Sequence, residues 1–312
     1  MIFFNKNNLK KKHLRLLLLF FFKLIIGLGA VFYLYRQHGL KNVLLHFFSD
    51  YDFDFLLIVA GLSLINWFLE IIKWQYLVSQ VHKIDFWKAA YQSLTGFAVS
   101  MLTPNRVGEY GAKVLFFEPS LRKKIFSLSI IGNMSQLLAT LLFGLFGFIV
   151  VLKFHLIVYP KMFRIPYLSI ILIILLGLLV YIAYKKYIFQ KNLIINNSQI
   201  WWRSFLFAVL RYLVFAGQFF LFFKYFHTNV NSLTLLAGIT LTYLLSTLVP
   251  MLAFLDWTVK GSIGVWVFEQ LGINDTVVLK IILSMWLLNF FIPFLIGVIL
   301  FIVKIKKQSK LN

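Results

Sequence analysis

Residues 86–113, FWKAAYQSLTGFAVSMLTPNRVGEYGAK, decide the fold, because an apolar segment here runs into a proline and then into three charges. Proline lacks an amide hydrogen and restricts the residue before it, so Pro104 is expected to end a helix. Residues 233–249 run into Pro250 in the same way. A polar, glycine-containing motif and a second apolar piece follow each proline. Both stretches therefore fit poorly as simple membrane spans.

Composition places the rest of the chain in a membrane. Of its 312 residues 61% are hydrophobic and 13% are charged, whereas soluble domains are about 45–50% apolar and about 25% charged. Runs of about 20 apolar residues cross a hydrocarbon core of about 30 Å, and these runs do not alternate as barrel strands do. We predict an all-α polytopic membrane protein with two re-entrant helical hairpins and six full spans, near 14–35, 54–72, 126–152, 166–184, 204–226 and 279–303.

The basic residues predict the topology. The net charge is +21, and a nucleic-acid partner is not expected because the charges sit in loops and tails. Of the 31 Lys and Arg residues, 21 fall in the two tails and in loops 73–125 and 185–203, against six in the intervening loops. Basic residues concentrate on the cytoplasmic side. We therefore expect a multi-pass protein of the cytoplasmic (inner) membrane with both termini cytoplasmic.

This charge distribution makes the proline-broken segments re-entrant. Residues 73–88 and 122–124 both carry cytoplasmic-type charge, so residues 86–118 enter and leave on the cytoplasmic side. By the same logic residues 233–270 form a hairpin open to the outside. Eight plain spans are the alternative, which places the cluster at 122–124 outside or needs a further crossing.

The chain then divides into two similar halves, residues 14–152 and 166–303. Each half contains two spans, a hairpin and a span, and corresponding elements lie 146–153 residues apart. Three spans precede the second half, so its orientation is reversed, as in inverted-repeat transporters. We predict one transmembrane domain over 14–303, with basic tails at 1–13 and 304–312.

The first motif carries a guanidinium and an acid–base pair. Glu109 and Lys113 lie four residues apart, on one helical face, and Arg106 precedes Glu109 by three. A guanidinium suits bidentate binding of a phosphate. Gly108 and Gly111 allow close backbone approach. The alternative is an ionic lock at a helix start in a cytoplasmic loop.

The second motif is VPMLAFLDWTVKGSIG at 249–264. Asp256 and Lys260 repeat the four-residue spacing, and Gly261 and Gly264 follow. A charge at bilayer depth is costly and faces a cavity or a partner. The alternative is a solvated external loop.

Several polar residues lie inside the spans. Arg211 is a fixed charge about eight residues into its span, so it either lines a cavity or ties helices together. An amide such as Asn289 is expected to link helices. Glu70 and Lys73 fall near a predicted span end, where side chains usually extend to the membrane surface.

The sequence contains none of the common catalytic motifs. There are no cysteines, no P-loop, no HExxH, no GxSxG and no zinc-type spacing. We predict no catalytic residue, no metal and no cofactor, and no ATP hydrolysis by this chain alone.

The motif TPNRVGEYGAKVL at 103–115 resembles the signature of the lysylphosphatidylglycerol synthase transmembrane-region family, the flippase-like domain, typically Pro-Gly-Arg-x-Gly-Glu. Asn105 replaces the first glycine here. The family's second signature, often Pro-x-Pro-Gly-Gly-x-Gly, is not kept at 249–264, so the match is firmest at Arg106, Gly108 and Glu109. The resemblance implies lipid translocation, and we expect no soluble aminoacyl-transfer domain.

Together these features predict a translocase for a phospholipid or lipid-linked headgroup. Membrane lipids are the expected partners, and an envelope-biosynthesis protein is a possible further partner. The sequence does not indicate the oligomeric state. A membrane-embedded transferase and a non-transporting envelope scaffold are the alternatives. The predicted substrate-binding residues are Arg106, Glu109, Lys113, Asp256, Lys260 and Arg211. The predicted structural residues of the hairpins are Pro104, Asn105, Gly108, Gly111, Pro250, Gly261 and Gly264.

Overall fold

The regular elements that the structure describes are helices. The computed structural model describes residues 24–25, 27–36, 40–45, 47, 51–101, 103, 107–157, 197–226, 228–249 and 251–309. After a helical segment within 24–36, the helices are α1 (Leu40–Leu45), α2 (Phe53–Ser79), α3 (Phe86–Met101), α4 (Val107–Leu115), α5 (Arg122–Lys153), α6 (Ser198–Tyr225), α7 (Ser232–Leu248), α8 (Asp256–Glu269), α9 (Asp275–Trp286) and α10 (Ile292–Ser309).

Four helical stretches are long and apolar enough to cross a membrane. They are α2, α5, α6 and the continuous stretch Asp275–Lys304, and they match four of the six predicted spans. Of the predicted span near 14–35, residues 24–25 and 27–35 are helical, and the span near 166–184 lies outside the described residues. The prediction of an all-α polytopic membrane protein is confirmed.

The first proline-broken segment forms a hairpin of two short helices, α3 and α4. Their 16 and 9 residues span about 24 Å and about 14 Å, less than a hydrocarbon core of about 30 Å. The rings of His82, before α3, and Phe117, after α4, lie 6.0 Å apart. Both ends of the hairpin therefore lie at the same end of the helix bundle, as a re-entrant hairpin requires.

The second hairpin consists of α7 and α8, joined through a 3-10 turn at Ala253–Leu255. A Cβ on Gly238, near the start of α7, would lie 2.8 Å from Cε1 of Phe268, at the end of α8. The two ends of this hairpin are therefore also close together.

The two hairpins enter from opposite ends of the bundle. Phe117 of the first hairpin packs in one apolar cluster with Leu77 at the end of α2 and Ile125 at the start of α5. Phe268 of the second packs in another cluster with Val151 at the end of α5 and Phe223 at the end of α6. Because α5 runs between the two clusters, the hairpins point toward each other, as the predicted inverted repeat requires.

Two glycines bring α5 and α7 into close contact. A Cβ on Gly144 would lie 2.6 Å from Cβ of Leu244, and a Cβ on Gly147 would lie 2.7 Å from the carbonyl oxygen of Ala237 and overlap Thr240. Small residues let membrane helices approach closely and gain dispersion contacts. This contact fixes the first helix of the second hairpin against a long helix.

The last membrane stretch is interrupted by a five-residue π-helix, Leu287–Phe291, between α9 and α10. Pro293 cannot donate a hydrogen bond to the backbone of the preceding turn. Helix α2 supplies donors instead: Ser63 Oγ donates to the carbonyl of Leu288 (2.8 Å) and Trp67 Nε1 donates to the carbonyl of Asn289 (3.1 Å). Such compensation lets irregular backbone persist at membrane depth.

Candidate functional site

A cavity of about 600 Å³ lies between the tips of the two hairpins. The long helices contribute Glu70 from α2 and Arg211 from α6 to its wall. The hairpins contribute Glu109 from α4, and Asp256 and Lys260 from α8. Charged side chains from both halves of the chain therefore meet around one space.

Glu70 is the centre of a buried ionic cluster on one side of this cavity. Lys73 Nζ lies 2.6 Å from Glu70 Oε2, Arg211 Nη1 pairs with the same oxygen, and Lys113 Nζ lies 4.0 Å from Oε1. With Glu109, which also lines the cavity, three cations face two carboxylates in this described cluster. The cluster carries one net positive charge.

Lys113 joins the first hairpin to the cluster. Its Nζ donates to Glu109 Oε1 at 2.7 Å and lies 4.3 Å from the ring centroid of Trp74, within cation–π range. Its aliphatic stem passes over Gly96 of α3, where an added Cβ would lie 3.2 Å from Lys113 Cγ. The hairpin therefore places the ammonium group of Lys113 in the interior of the helix bundle, and the side chain that carries it is buried.

A chain of amides orients Arg211. Its Nε donates to Asn66 Oδ1 (2.8 Å), Asn66 Nδ2 donates to Asn289 Oδ1 (2.9 Å), and Asn289 Nδ2 donates to Gln218 Oε1 (2.9 Å). The three amides link α2, α6 and the π-helix. Asn289 thus ties helices together, as its position in the sequence predicted.

The second hairpin carries a matching acid–base pair. Lys260 pairs with Asp256, in the first turn of α8, and its Nζ lies 4.6 Å from the ring centroid of Phe290. Glu109 and Asp256 are 147 residues apart, and so are Lys113 and Lys260. Both half-helices therefore carry the same pair, acid first, and Glu109, Asp256 and Lys260 of the two pairs line the cavity.

Comparison with known proteins identifies the family. The sequence profile described as the lysylphosphatidylglycerol synthase TM region matches residues 20–297. The chain belongs to this family. Among curated proteins none matches the chain. Membership of the lysylphosphatidylglycerol synthase TM family makes this a multi-pass membrane protein of lipid-related function.

The family motif lies only partly within the described residues. Pro104, Asn105 and Arg106 of the first motif lie outside them, as does Pro250 of the second. These four residues stay predictions.

The glycines of the first motif differ in their surroundings. The amide of Gly108 donates to Thr103 Oγ1 (2.9 Å), and a Cβ there would lie 2.7 Å from the same oxygen and 2.9 Å from the carbonyl of Val99. Apart from its own helix backbone and chain neighbours, no described atom lies within 4 Å of a Cβ built on Gly111. Close backbone approach therefore accounts for Gly108, and no described residue makes such an approach at Gly111.

The glycines of the second motif pack α8 against its neighbours. An added Cβ would lie 3.0 Å from Leu34 Cδ1 at Gly261 and 2.5 Å from Ile282 Cδ1 at Gly264. Both contacts hold the second half-helix closely against apolar neighbours.

The sequence interpretation of Glu70 and Lys73 was wrong. Their side chains do not extend to the membrane surface, since these residues are 7% and 2% exposed and form the ionic cluster. The predicted span ended at residue 72, whereas α2 continues to Ser79 and places both charges two turns deeper. An acid and a base three residues apart in an apolar helix were the signal that pointed to them.

Proposed function

We propose that this chain moves a phospholipid or a lipid-linked headgroup between the leaflets of the cytoplasmic membrane, with both termini cytoplasmic. The headgroup enters the cavity between the hairpins while the acyl chains stay in the bilayer. The observation that carries the proposal is the buried cluster of Lys73, Lys113 and Arg211 around Glu70. The cluster carries one net positive charge beside the cavity and reaches the cavity through Arg211, which lines it with Glu70 and Glu109. An anionic phosphate would balance that charge.

Arg211 is the cation best placed to reach a ligand. Its side chain is 21% exposed, whereas those of Lys73 and Lys113 are 2% and 4% exposed. A guanidinium presents several donors in a planar fork, so it can hold Glu70 and Asn66 and still offer N–H groups to a phosphate. Lys73 and Lys113, which are more deeply buried than Arg211, add positive charge to the cluster. Arg106 is the predicted second phosphate ligand.

The paired motifs support access from both leaflets. A headgroup arriving along either hairpin meets a lysine and a carboxylate in the same order, Glu109 with Lys113 or Asp256 with Lys260. An acid–base pair of this kind binds a phosphate through the lysine and releases it as the carboxylate reclaims that lysine. With no nucleotide-binding motif in the sequence, transport would run downhill or with a coupled ion.

The test is leaflet exchange by the purified full chain in vesicles of phosphatidylcholine and phosphatidylglycerol, with tail-labelled phosphatidylglycerol as the probe. A membrane-impermeant quencher is added outside the vesicles. It should bleach the inner-leaflet label faster in vesicles with the wild-type chain than in protein-free vesicles. Arg211→Gln, Arg106→Ala and Glu109→Ala should abolish this exchange while the protein remains folded. Lys224→Gln, which removes an exposed cation at the end of α6, is the matched control. Wild-type exchange in the Arg211 and Arg106 variants would refute the site.

A further inference from the structure

Two buried hydroxyl groups in the cavity wall lack a hydrogen-bond partner within the part of the chain that the structure describes. Ser93 Oγ, on α3, and Tyr212 Oη, on α6, belong to residues that are 2% and 4% exposed. Both residues line the cavity. Buried polar groups are nearly always paired in folded proteins, so an orphaned hydroxyl on a residue that lines a cavity points to a bound partner.

The two hydroxyls belong to different helices around the same cavity. Ser93 belongs to the first hairpin, and Tyr212 follows Arg211 directly on a long helix. The ring of Tyr212 stacks on Phe143 with 4.6 Å between centroids, which fixes the direction of its hydroxyl. The site thus holds two preorganised hydrogen-bonding groups beside the cationic cluster.

The remaining wall has the chemistry of a site for an uncharged polar group. It includes neutral hydrogen-bonding side chains, among them Asn133 and Ser246, and the aromatic rings of Trp67 and Tyr243. The C–H faces of a polyol or sugar ring pack on aromatic rings, while its hydroxyls need donors and acceptors. An amine headgroup would be favoured by unpaired carboxylates, whereas the cavity carboxylates Glu70, Glu109 and Asp256 are already paired with cations.

We infer that the substrate is a phosphodiester lipid whose headgroup carries uncharged hydroxyls, a polyol or a sugar, and that Ser93 and Tyr212 bind these hydroxyls. The inference rests on the proposed function, because it assigns the phosphate to Arg211. Tyr212 and Arg211 line the same cavity, so a headgroup held by its phosphate at Arg211 can extend its hydroxyls toward Tyr212. Ser93 meets the headgroup from the hairpin side.

The experiment compares two tail-labelled lipids of equal charge, phosphatidylinositol and phosphatidylethanol, which differ in headgroup hydroxyls. Competition binding to the purified chain is read by native mass spectrometry, and leaflet exchange is read in phosphatidylcholine vesicles. The wild-type chain should prefer phosphatidylinositol in both measurements. Tyr212→Phe and Ser93→Ala should each lower that preference about fivefold, the effect of one hydrogen bond.

Ser204→Ala is the matched control. Ser204 Oγ is also buried and unpartnered among the described residues, but Ser204 does not line the cavity. Its loss should leave the preference unchanged. Equal binding of both lipids by the wild-type chain, or an equal loss of preference in all three variants, would overturn the inference.

The experiment tests the translocase function and the headgroup assignment independently. Selective binding of phosphatidylinositol without any exchange would support the headgroup assignment and overturn the translocase. Exchange of both lipids at one rate would support the translocase and overturn the headgroup assignment. No binding of either lipid would overturn both.

Discussion

Nζ of Lys113 lies 4.0 Å from Oε1 of Glu70, a carboxylate on a different helix, while it donates to its own neighbour Glu109 at 2.7 Å. The re-entrant hairpin is thereby linked to the long helices through the carboxylate that also holds Lys73 and Arg211. Because Glu109 and Lys113 both lie on α4, a shift of α4 would change the distance from Lys113 to Glu70 while the ammonium keeps Glu109 as its partner. This relationship connects hairpin position to the state of the cavity.

Glu70→Gln should be strongly destabilising. It removes the carboxylate that three cations share, and an uncompensated buried charge typically costs about 3–5 kcal/mol. Thermal unfolding of the variant in detergent measures the loss. Glu109→Gln is the comparison and should cost less, because Lys113 keeps Glu70 and the Trp74 ring. Equal stability of both variants would show that Glu70 does not hold the cluster together.

Asn289→Leu should destabilise the bundle by about 1–3 kcal/mol, since it leaves Asn66 and Gln218 without their buried amide partner. Ser63→Ala removes a single donor to the same π-helix and should cost less, about 0.5–1.5 kcal/mol. Chemical unfolding in mixed micelles compares the two. A neutral Asn289→Leu would mean that the amide chain does not tie these helices together.

Gly147→Ala should destabilise the protein by about 1–3 kcal/mol, the usual cost of overpacking, because the new methyl group would meet the backbone of α7. Gly217→Ala is the matched control in a membrane helix. Apart from its own helix backbone and chain neighbours, no described atom lies within 4 Å of a Cβ there, so this change should be neutral or stabilise by up to about 1 kcal/mol. Unfolding temperatures in detergent measure both changes. A lower unfolding temperature for Gly217→Ala than for Gly147→Ala would contradict the close contact of α5 and α7.

Single cysteines can test the topology without background, because the chain has none of its own. Lys83→Cys and Ser120→Cys flank the first hairpin, and Ser232→Cys and Glu269→Cys flank the second. In oriented vesicles a membrane-impermeant maleimide should label the first pair from one side and the second pair from the other. Labelling of Lys83→Cys and Ser120→Cys from opposite sides would favour eight plain spans.

Sequence alone determined the class of protein and the position of its hairpins. Apolar runs of about 20 residues have one stable form in a bilayer, a helix, and a proline followed by charges interrupts that helix wherever it occurs. The pairs Glu109 with Lys113 and Asp256 with Lys260 also followed from spacing, because residues four apart share a helical face. Each of these features depends on neighbours along the chain.

Only the tertiary structure decided which charges belong together. Glu70, Lys113 and Arg211 are far apart in sequence, and they meet because α2, α4 and α6 converge at mid-bundle. The orphaned hydroxyls of Ser93 and Tyr212 were equally hidden, since a serine or tyrosine in an apolar helix becomes a candidate ligand only when its surroundings leave it unpaired. Ion pairs and cavities form between helices, and the sequence periodicity of one helix does not show which other helices it contacts.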